Sequence, residues 1–276
     1  MHILPEGVLI FQEGMLILPE GKAILGMALP SGPRGFDDCP EDNHQIPAFI
    51  FLPLPQSTTT MKRAFIFDMN GTMIDDMEYH VHGWFNILND DLGANLSREA
   101  VKKEMYGKNQ EVLIRIFGKG KFTNEQMDQL ALEKERRYQE AYRPHLGLIA
   151  GLQQFLDQSR ELGIPMGIGT AAIPFNVDFT IDNLHLRSYF KTIITADDVV
   201  DSKPHPETFL KAAEKMGVRP EDCIVFEDAP KGVEAAQNAG MKAVVITTMH
   251  TKEEFAAYNN IIRFISDYTE LSPSEL

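Results

Sequence analysis

Cysteine and positive charge are both scarce in this chain, and no apolar run is long; each shortage excludes something. The only two cysteines, Cys39 and Cys223, stand far apart in 276 residues. Two thiols cannot form a disulfide framework, and no Cys-x-x-Cys spacing offers a zinc site. Free thiols in a cytoplasmic protein are the expectation. Basic residues number 26 against 40 acidic ones, a formal net charge of −14. A field of that sign repels nucleic acid and anionic lipid, so neither is an expected partner. It equally repels a phosphorylated ligand, so a phosphate site here needs local positive charge or a metal ion. No apolar run approaches the ~20 residues that span a bilayer. The apolar patches near the N-terminus are interrupted by Glu6, Glu13 and Glu20, with no basic leading region, so no secretory signal is expected. The 43% of apolar residues is enough for one large core or two modest domains.

Residues 1–60 differ from the rest. They are rich in proline and glycine, lack helical periodicity, and repeat ILPEG at Ile3–Gly7 and Ile17–Gly21 before ending in a linker-like Pro53, Pro55, Ser57–Thr60 stretch. Met61 is followed at once by two basic residues and an apolar strand, which reads as a start. Residues 1–60 are therefore expected to be an appended, poorly structured extension. From residue 64 strands and helices alternate. Ala64–Phe67 suits a buried parallel strand, and roughly 78–142 reads as four helices, with Ser97 as a start and Gly93, Gly107 and Gly118 as stops. After Pro144 the rhythm resumes: helix 149–162, strand 165–169, helix 175–184, strand 191–195, helix 206–216, strand 223–226, helix 231–239, strand 242–247 and a last strand near 261–265. The expectation is an α/β fold with a Rossmann-like parallel sheet, core residues 61–76 and 146–276, and a small helical cap at 77–145. In such sheets ligands bind beyond the carboxyl ends of the strands.

Four motifs fall there. In FIFDMNGT (Phe65–Thr72) an apolar strand delivers Asp68, a carboxylate able to attack phosphorus, although Asp also caps turns. Thr170 and the neighbouring Ala171 follow strand PMGIG, where a hydroxyl and backbone N–H groups can hold phosphoryl oxygens. In SKPHPETF (Ser202–Phe209) a Pro-His-Pro frame fixes Lys203, whose ammonium can neutralise a nucleophile and transferring oxygens. In IVFEDAPKG (Ile224–Gly232) a strand ends in Glu227–Asp228, hard oxygen donors suited to Mg²⁺. Among the remaining features, Trp84, Phe85 and Leu88 read as cap core. The run Glu133–Glu140 reads as a solvated helix face with i,i+4 ion pairs, and His205 as structural.

Nucleophile, hydroxyl, lysine and acid pair in this order resemble the haloacid dehalogenase (HAD) superfamily over about residues 62–270. The helical insert is similar to its C1 cap. DDMEYHVHGW (Asp75–Trp84) and the 212–241 stretch resemble the β-phosphoglucomutase-like subgroup. The resemblance implies an aspartyl-phosphate on Asp68. It implies Mg²⁺ held by Asp68, the Asn70 carbonyl and Asp228 with Glu227 assisting, a phosphoryl group held by Thr170, Ala171 and Lys203, and His80 linked to cap closure. A monomeric hydrolase of a small phosphorylated metabolite is the expectation. Two positions depart from the pattern. The family's general acid–base Asp is Asn70 here, and loss of such a group costs about 10²–10⁴-fold. Four readings follow: a phosphatase for good leaving groups, a slow enzyme with His80 or another cap group as proton source, a binding protein or switch without turnover, and a phosphonatase-type or other chemistry. The last would need a cap lysine such as Lys102, Lys103 or Lys108. Where mutases carry a phosphate-gripping cap arginine this chain has Gln110, with Arg115 and Lys108 as the candidates to take its place.

Overall fold

The structure is a computed structural model that describes residues 63–276, together with the backbone of three short strands nearer the N-terminus. The chain divides between Thr60 and Met61. In the first part β1 (Leu9–Ile10), β2 (Met15–Ile17) and β3 (Ala23–Leu25) pair antiparallel, with Leu16 opposite both Ile10 and Ile24. The first ILPEG copy, the linker-like stretch and Cys39 lie outside the described residues, and with them most of the extension expected over 1–60.

In the second part six parallel strands form one sheet in the order β6-β5-β4-β7-β8-β9. They are β4 (Ala64–Phe67), β5 (Met166–Gly169), β6 (Thr192–Ile194), β7 (Cys223–Glu227), β8 (Lys242–Ile246) and β9 (Ile261–Ile265). Both faces are covered, so β4 is apolar at every position rather than alternating. Phe65 and Phe67 point to one face, into a cluster with Phe155, Ile168, Phe226 and Tyr268; Ala64 and Ile66 point to the other, against Phe209, Val225 and Val233. Phe67 stacks on Phe226 at 4.5 Å across the β4–β7 pair. This centre fixes the relative height of the strand ends that carry Asp68 and Glu227–Asp228.

Helices α5 (Leu152–Glu161), α6 (Pro174–Asn183), α7 (Glu207–Met216) and α8 (Pro230–Asn238) flank the sheet. Between β4 and β5 lie α1 (Met77–Phe85), which runs on through a π-helical turn to Asp91, then α2 (Arg98–Glu104), α3 (Asn109–Phe117) and α4 (Asn124–Tyr142). The Ser97 hydroxyl accepts from Ala100 N, and Thr123 and Gln126 cap each other reciprocally at the start of α4. These helices have their own apolar centre, including Trp84, Leu88, Val101, Leu113 and Met127, with Phe85 packed at its edge. Among the described residues no helix is long and apolar enough to cross a membrane.

One expectation fails here. The run Glu133–Glu140 is not a solvated face: Lys134, Glu135, Tyr138 and Gln139 are buried. The reason is periodicity. Met127, Ala131, Tyr138 and Tyr142 form an inward stripe on α4 at helical spacing, and positions 134 and 135 fall on it. Only Glu133, Arg136, Arg137 and Glu140 face outward, and Glu133–Arg137 makes the anticipated i,i+4 pair at 2.9 Å.

Candidate active site

Asp68 emerges from the central strand into a cleft between the strand ends and the inserted helices, about 150 Å³ in volume. Lys203, from the loop after β6, enters the same cleft and is as buried as Asp68, each about 7% exposed. Its Nζ donates to Asp68 Oδ1 at 2.6 Å and to Glu227 Oε1 at 2.8 Å. Burial disfavours the ammonium, but Asp68 and Glu227 outweigh it and push Lys203 above the ordinary lysine range. Asp68 is pushed up to about 7: burial dominates, Lys203 opposes it, and Glu227 adds to it.

The acid pair divides its labour. Glu227 Oε1 takes Lys203, and Oε2 takes the Ala229 N–H at 2.8 Å, so both its oxygens are engaged. Asp228 accepts the Thr72 hydroxyl on Oδ1 at 3.3 Å, while its Oδ2 is buried with no protein partner. Burial first, then Glu227 and Asp68, raise the Asp228 carboxyl well above its usual value. Two glycines make room for these carboxylates. A Cβ on Gly71, which sits at φ +73°, would fall 2.2 Å from Asp228 Oδ2, and one on Gly232 1.7 Å from Glu227 Oε1. An orphaned carboxylate oxygen beside a second buried carboxylate is a donor set that fits a hard divalent cation. Asp68 and Asp228 can hold it with a backbone carbonyl; Glu227 is occupied in holding Lys203.

Thr170 follows β5 and is buried, its hydroxyl accepting the Ala172 N–H at 3.1 Å. Thr170 and Ala171 both line the cleft. Asn70 lines it too, but its amide turns toward the insert: Nδ2 donates to Asp76 Oδ2 at 2.6 Å and lies 3.0 Å from His80 Nε2. His80 stacks on Tyr138 at 3.8 Å, and its Nδ1 faces Lys134 Nζ at 2.7 Å. Lys134 in turn donates to Glu135 Oε1 at 2.9 Å. Glu135 also accepts from Asn109 at 2.8 Å and from Asn176, on α6, at 2.6 Å. Burial would raise the Glu135 carboxyl, but the Lys134 ammonium beside it and the hydrogen bond from Asn109 hold it at about 2. Lys134 and Glu135 both line the cleft, and the sequence reading missed them. The α4 stripe was the signal that marks them as inward.

The polar and basic side chains considered for the inserted helices sit elsewhere. Lys102, Lys103, Lys108, Gln110 and Arg115 do not line the cleft. Lys108 Nζ instead donates to the Val199 carbonyl at 2.5 Å, Gln110 to Asp128 at 2.8 Å, and Arg115 lies over the Tyr106 ring at 3.7 Å. Trp84, besides its place in the apolar centre, touches the cleft.

Residues 65–246 match the haloacid dehalogenase-like hydrolase family. The chain is 34% identical over 190 residues to a fructose-1-phosphate phosphatase of Escherichia coli, covering 65% of this chain and 93% of that protein. It is 31% identical over 189 residues to the β-phosphoglucomutase of Bacillus subtilis, covering 66% and 82% respectively. Among solved structures, a HAD hydrolase of family IA, variant 3, from Entamoeba histolytica superposes with a TM-score of 0.69 at 29% identity, over 77% of this chain and 96% of that one.

Proposed function

The chain belongs to the haloacid dehalogenase-like hydrolases, and on that premise we propose that it is a Mg²⁺-dependent phosphatase of a small phosphorylated metabolite, working through an aspartyl-phosphate on Asp68. The observation that carries this reading is the buried Asp68–Lys203–Glu227 array beside the unpartnered Asp228 Oδ2. An Asp68 oxygen attacks phosphorus and the bond to the leaving oxygen breaks; water then cleaves the acyl-phosphate, regenerating the carboxylate and releasing phosphate. Lys203 steadies the negative charge shared between Asp68 and the transferring oxygens. Thr170 and the Ala171 backbone hold the phosphoryl group. Mg²⁺, held by Asp68, Asp228 and the Asn70 carbonyl, would offset the repulsion between an acidic protein and an anionic substrate.

Asn70 carries no exchangeable proton in the useful range, so the leaving oxygen and the attacking water lack the usual partner. This favours substrates whose leaving group needs little help. It also keeps a second reading in play, a phospho-ligand binder without turnover, because the Asn70 amide is tied to Asp76 rather than free to act. Mutase and phosphonatase chemistries are less favoured: the groups they would draw on, Gln110, Arg115 and Lys108, do not line the cleft and are engaged by Asp128, Tyr106 and the Val199 carbonyl.

Phosphate release, measured with and without Mg²⁺ on sugar monophosphates, acyl phosphates and pyrophosphate, tests the proposal. Wild type should turn over at least one activated substrate, and Asp68→Ala should lose at least about 10³-fold. Release that survives Asp68→Ala would refute the nucleophile. Mg²⁺-dependent binding of a phosphorylated ligand with no release would install the second reading.

A further inference from the structure

Asp76 stands where the chain passes from the sheet into α1, six residues beyond Asn70, and it is fully buried. A buried carboxylate persists only with hydrogen-bond donors around it, and Asp76 has them from three directions. Oδ2 accepts from Asn70 Nδ2 at 2.6 Å and from the Tyr138 hydroxyl at 2.5 Å, and Oδ1 accepts the Gly71 N–H at 3.1 Å. His80 Nε2 lies 3.2 Å from Oδ2. Lys134 has only hydrogens to offer His80 Nδ1, so Nδ1 is the bare ring nitrogen and Nε2 carries the hydrogen aimed at Asp76. The 3.0 Å approach of Asn70 Nδ2 to that nitrogen is then a contact, and the amide's bond goes to Asp76.

We propose that Asn70 and Asp76 are a coupled pair: the carboxylate of this loop resides at 76, the amide at 70 is the neutral donor it requires, and Asp76 is the positioning residue that fixes residue 70 against α1 and α4. An aspartate at 70 would face Asp76 across the same 2.6 Å, carboxylate against carboxylate, with Lys203 already taken by Asp68 and Glu227. Like charges at that separation in a buried site repel strongly. Asn70 is therefore no isolated loss of a catalytic group. It belongs to a two-residue arrangement, and reversing one half alone does not restore an acid–base carboxylate in working position.

The consequence for turnover rests on the proposed phosphatase chemistry; the consequence for stability does not. The test is a cycle of wild type, Asn70→Asp, Asp76→Asn and Asn70→Asp/Asp76→Asn, each assayed for melting temperature and for Mg²⁺-dependent phosphate release from a sugar monophosphate, with kcat and KM resolved. Asn70→Asp should melt about 5 °C or more below wild type, and the double variant should recover most of that loss. The double variant should also gain about tenfold or more in kcat over wild type, with KM little changed, and should exceed Asn70→Asp by a similar factor. Asn70→Asp that melts like wild type and gains kcat unaided would overturn the pairing, as would strictly additive shifts in melting temperature. If no variant releases phosphate from the sugar monophosphate, nor from an acyl phosphate or pyrophosphate, the phosphatase reading fails, and the melting cycle still decides whether the two residues are coupled.

Discussion

The two sides of the cleft are built on different principles. On the sheet side, Asp68, Thr170, Glu227 and Asp228 sit at or just past the ends of three neighbouring strands, with Lys203 on the loop after a fourth. One lysine stands between two carboxylates, and one carboxylate oxygen is left over. On the helical side, Asn109, Lys134 and Glu135 are carried on the faces of α3 and α4, and their partners His80 and Asn176 come from α1 and α6. Here the charges are matched, Lys134 against Glu135, and the remaining carboxylate oxygens are saturated by amides. The sheet side is electrically unfinished and the helical side is complete. That difference fits a division in which chemistry, with its cation and phosphoryl group, belongs to the strand ends and recognition belongs to the insert.

The contrast breaks most severely at Lys203. Lys203→Met leaves Asp68 and Glu227 buried without their shared cation, and removing one partner of a buried ion pair costs about 3–5 kcal/mol. Urea unfolding in the absence of divalent ions should show a loss of that order, together with abolished phosphate release. A loss no larger than that of a helical-side variant would mean the strand-end carboxylates are less dependent on the lysine than the geometry implies. Glu135→Gln is the matching change on the other side. It keeps the shape and two hydrogen bonds but removes the charge facing Lys134, for about 1–3 kcal/mol. Its pH dependence carries the sign. The Glu135 carboxyl is depressed to about 2 from an ordinary 4.5, so its stabilisation is fully present above the ordinary value and drains away as pH falls from there toward 2. The gap in melting temperature between wild type and Glu135→Gln should therefore be constant from about pH 7 to pH 5 and shrink by about pH 3. A gap that held unchanged at the acidic end would show that shape, not charge, is what the glutamate supplies.

The same contrast explains what could be read from the sequence. A parallel strand is a short apolar run, and a chemical group just past its end is marked by position alone. Asp68, Thr170 and Glu227–Asp228 were legible for that reason, as were β4 to β9 to within a residue or two; Lys203, nine residues past β6, was marked instead by its Pro-His-Pro frame. A helix face must be computed from a repeat, and charged residues on an inward stripe disguise it. Lys134 and Glu135 looked like solvent-exposed charge because they sit in an unbroken charged run, Glu133 to Arg137, although Met127, Ala131, Tyr138 and Tyr142 set the inward phase. Asp76 was hidden differently. Nothing local distinguishes it from Asp75, which remains exposed; only Tyr138, 62 residues away, and the turn at Gly71 show which of the two acids is turned inward. The division of labour within Glu227–Asp228 also needed three dimensions, since Lys203 could reach either acid.

The smallest expected effect sharpens the comparison within a single helix. Arg137 lies two residues from Glu135 on α4 and has two carboxylate partners of its own, bonding Glu133 at 2.9 Å and Asp91 at 2.8 Å. Its side chain is 36% exposed, so water and salt screen both pairs, and holding a long side chain in place offsets much of what they contribute. Arg137→Ala should cost below about 0.5 kcal/mol by urea unfolding and leave phosphate release unchanged. Glu135→Gln, a milder chemical change at a neighbouring position, should exceed it severalfold. Equal costs would mean that α4 is stabilised by its ion pairs regardless of depth. Unequal costs in the stated order would mean that burial decides which charges of this run matter, and that the face of α4 turned to the cleft is held by Glu135 rather than by the charge-rich surface around it.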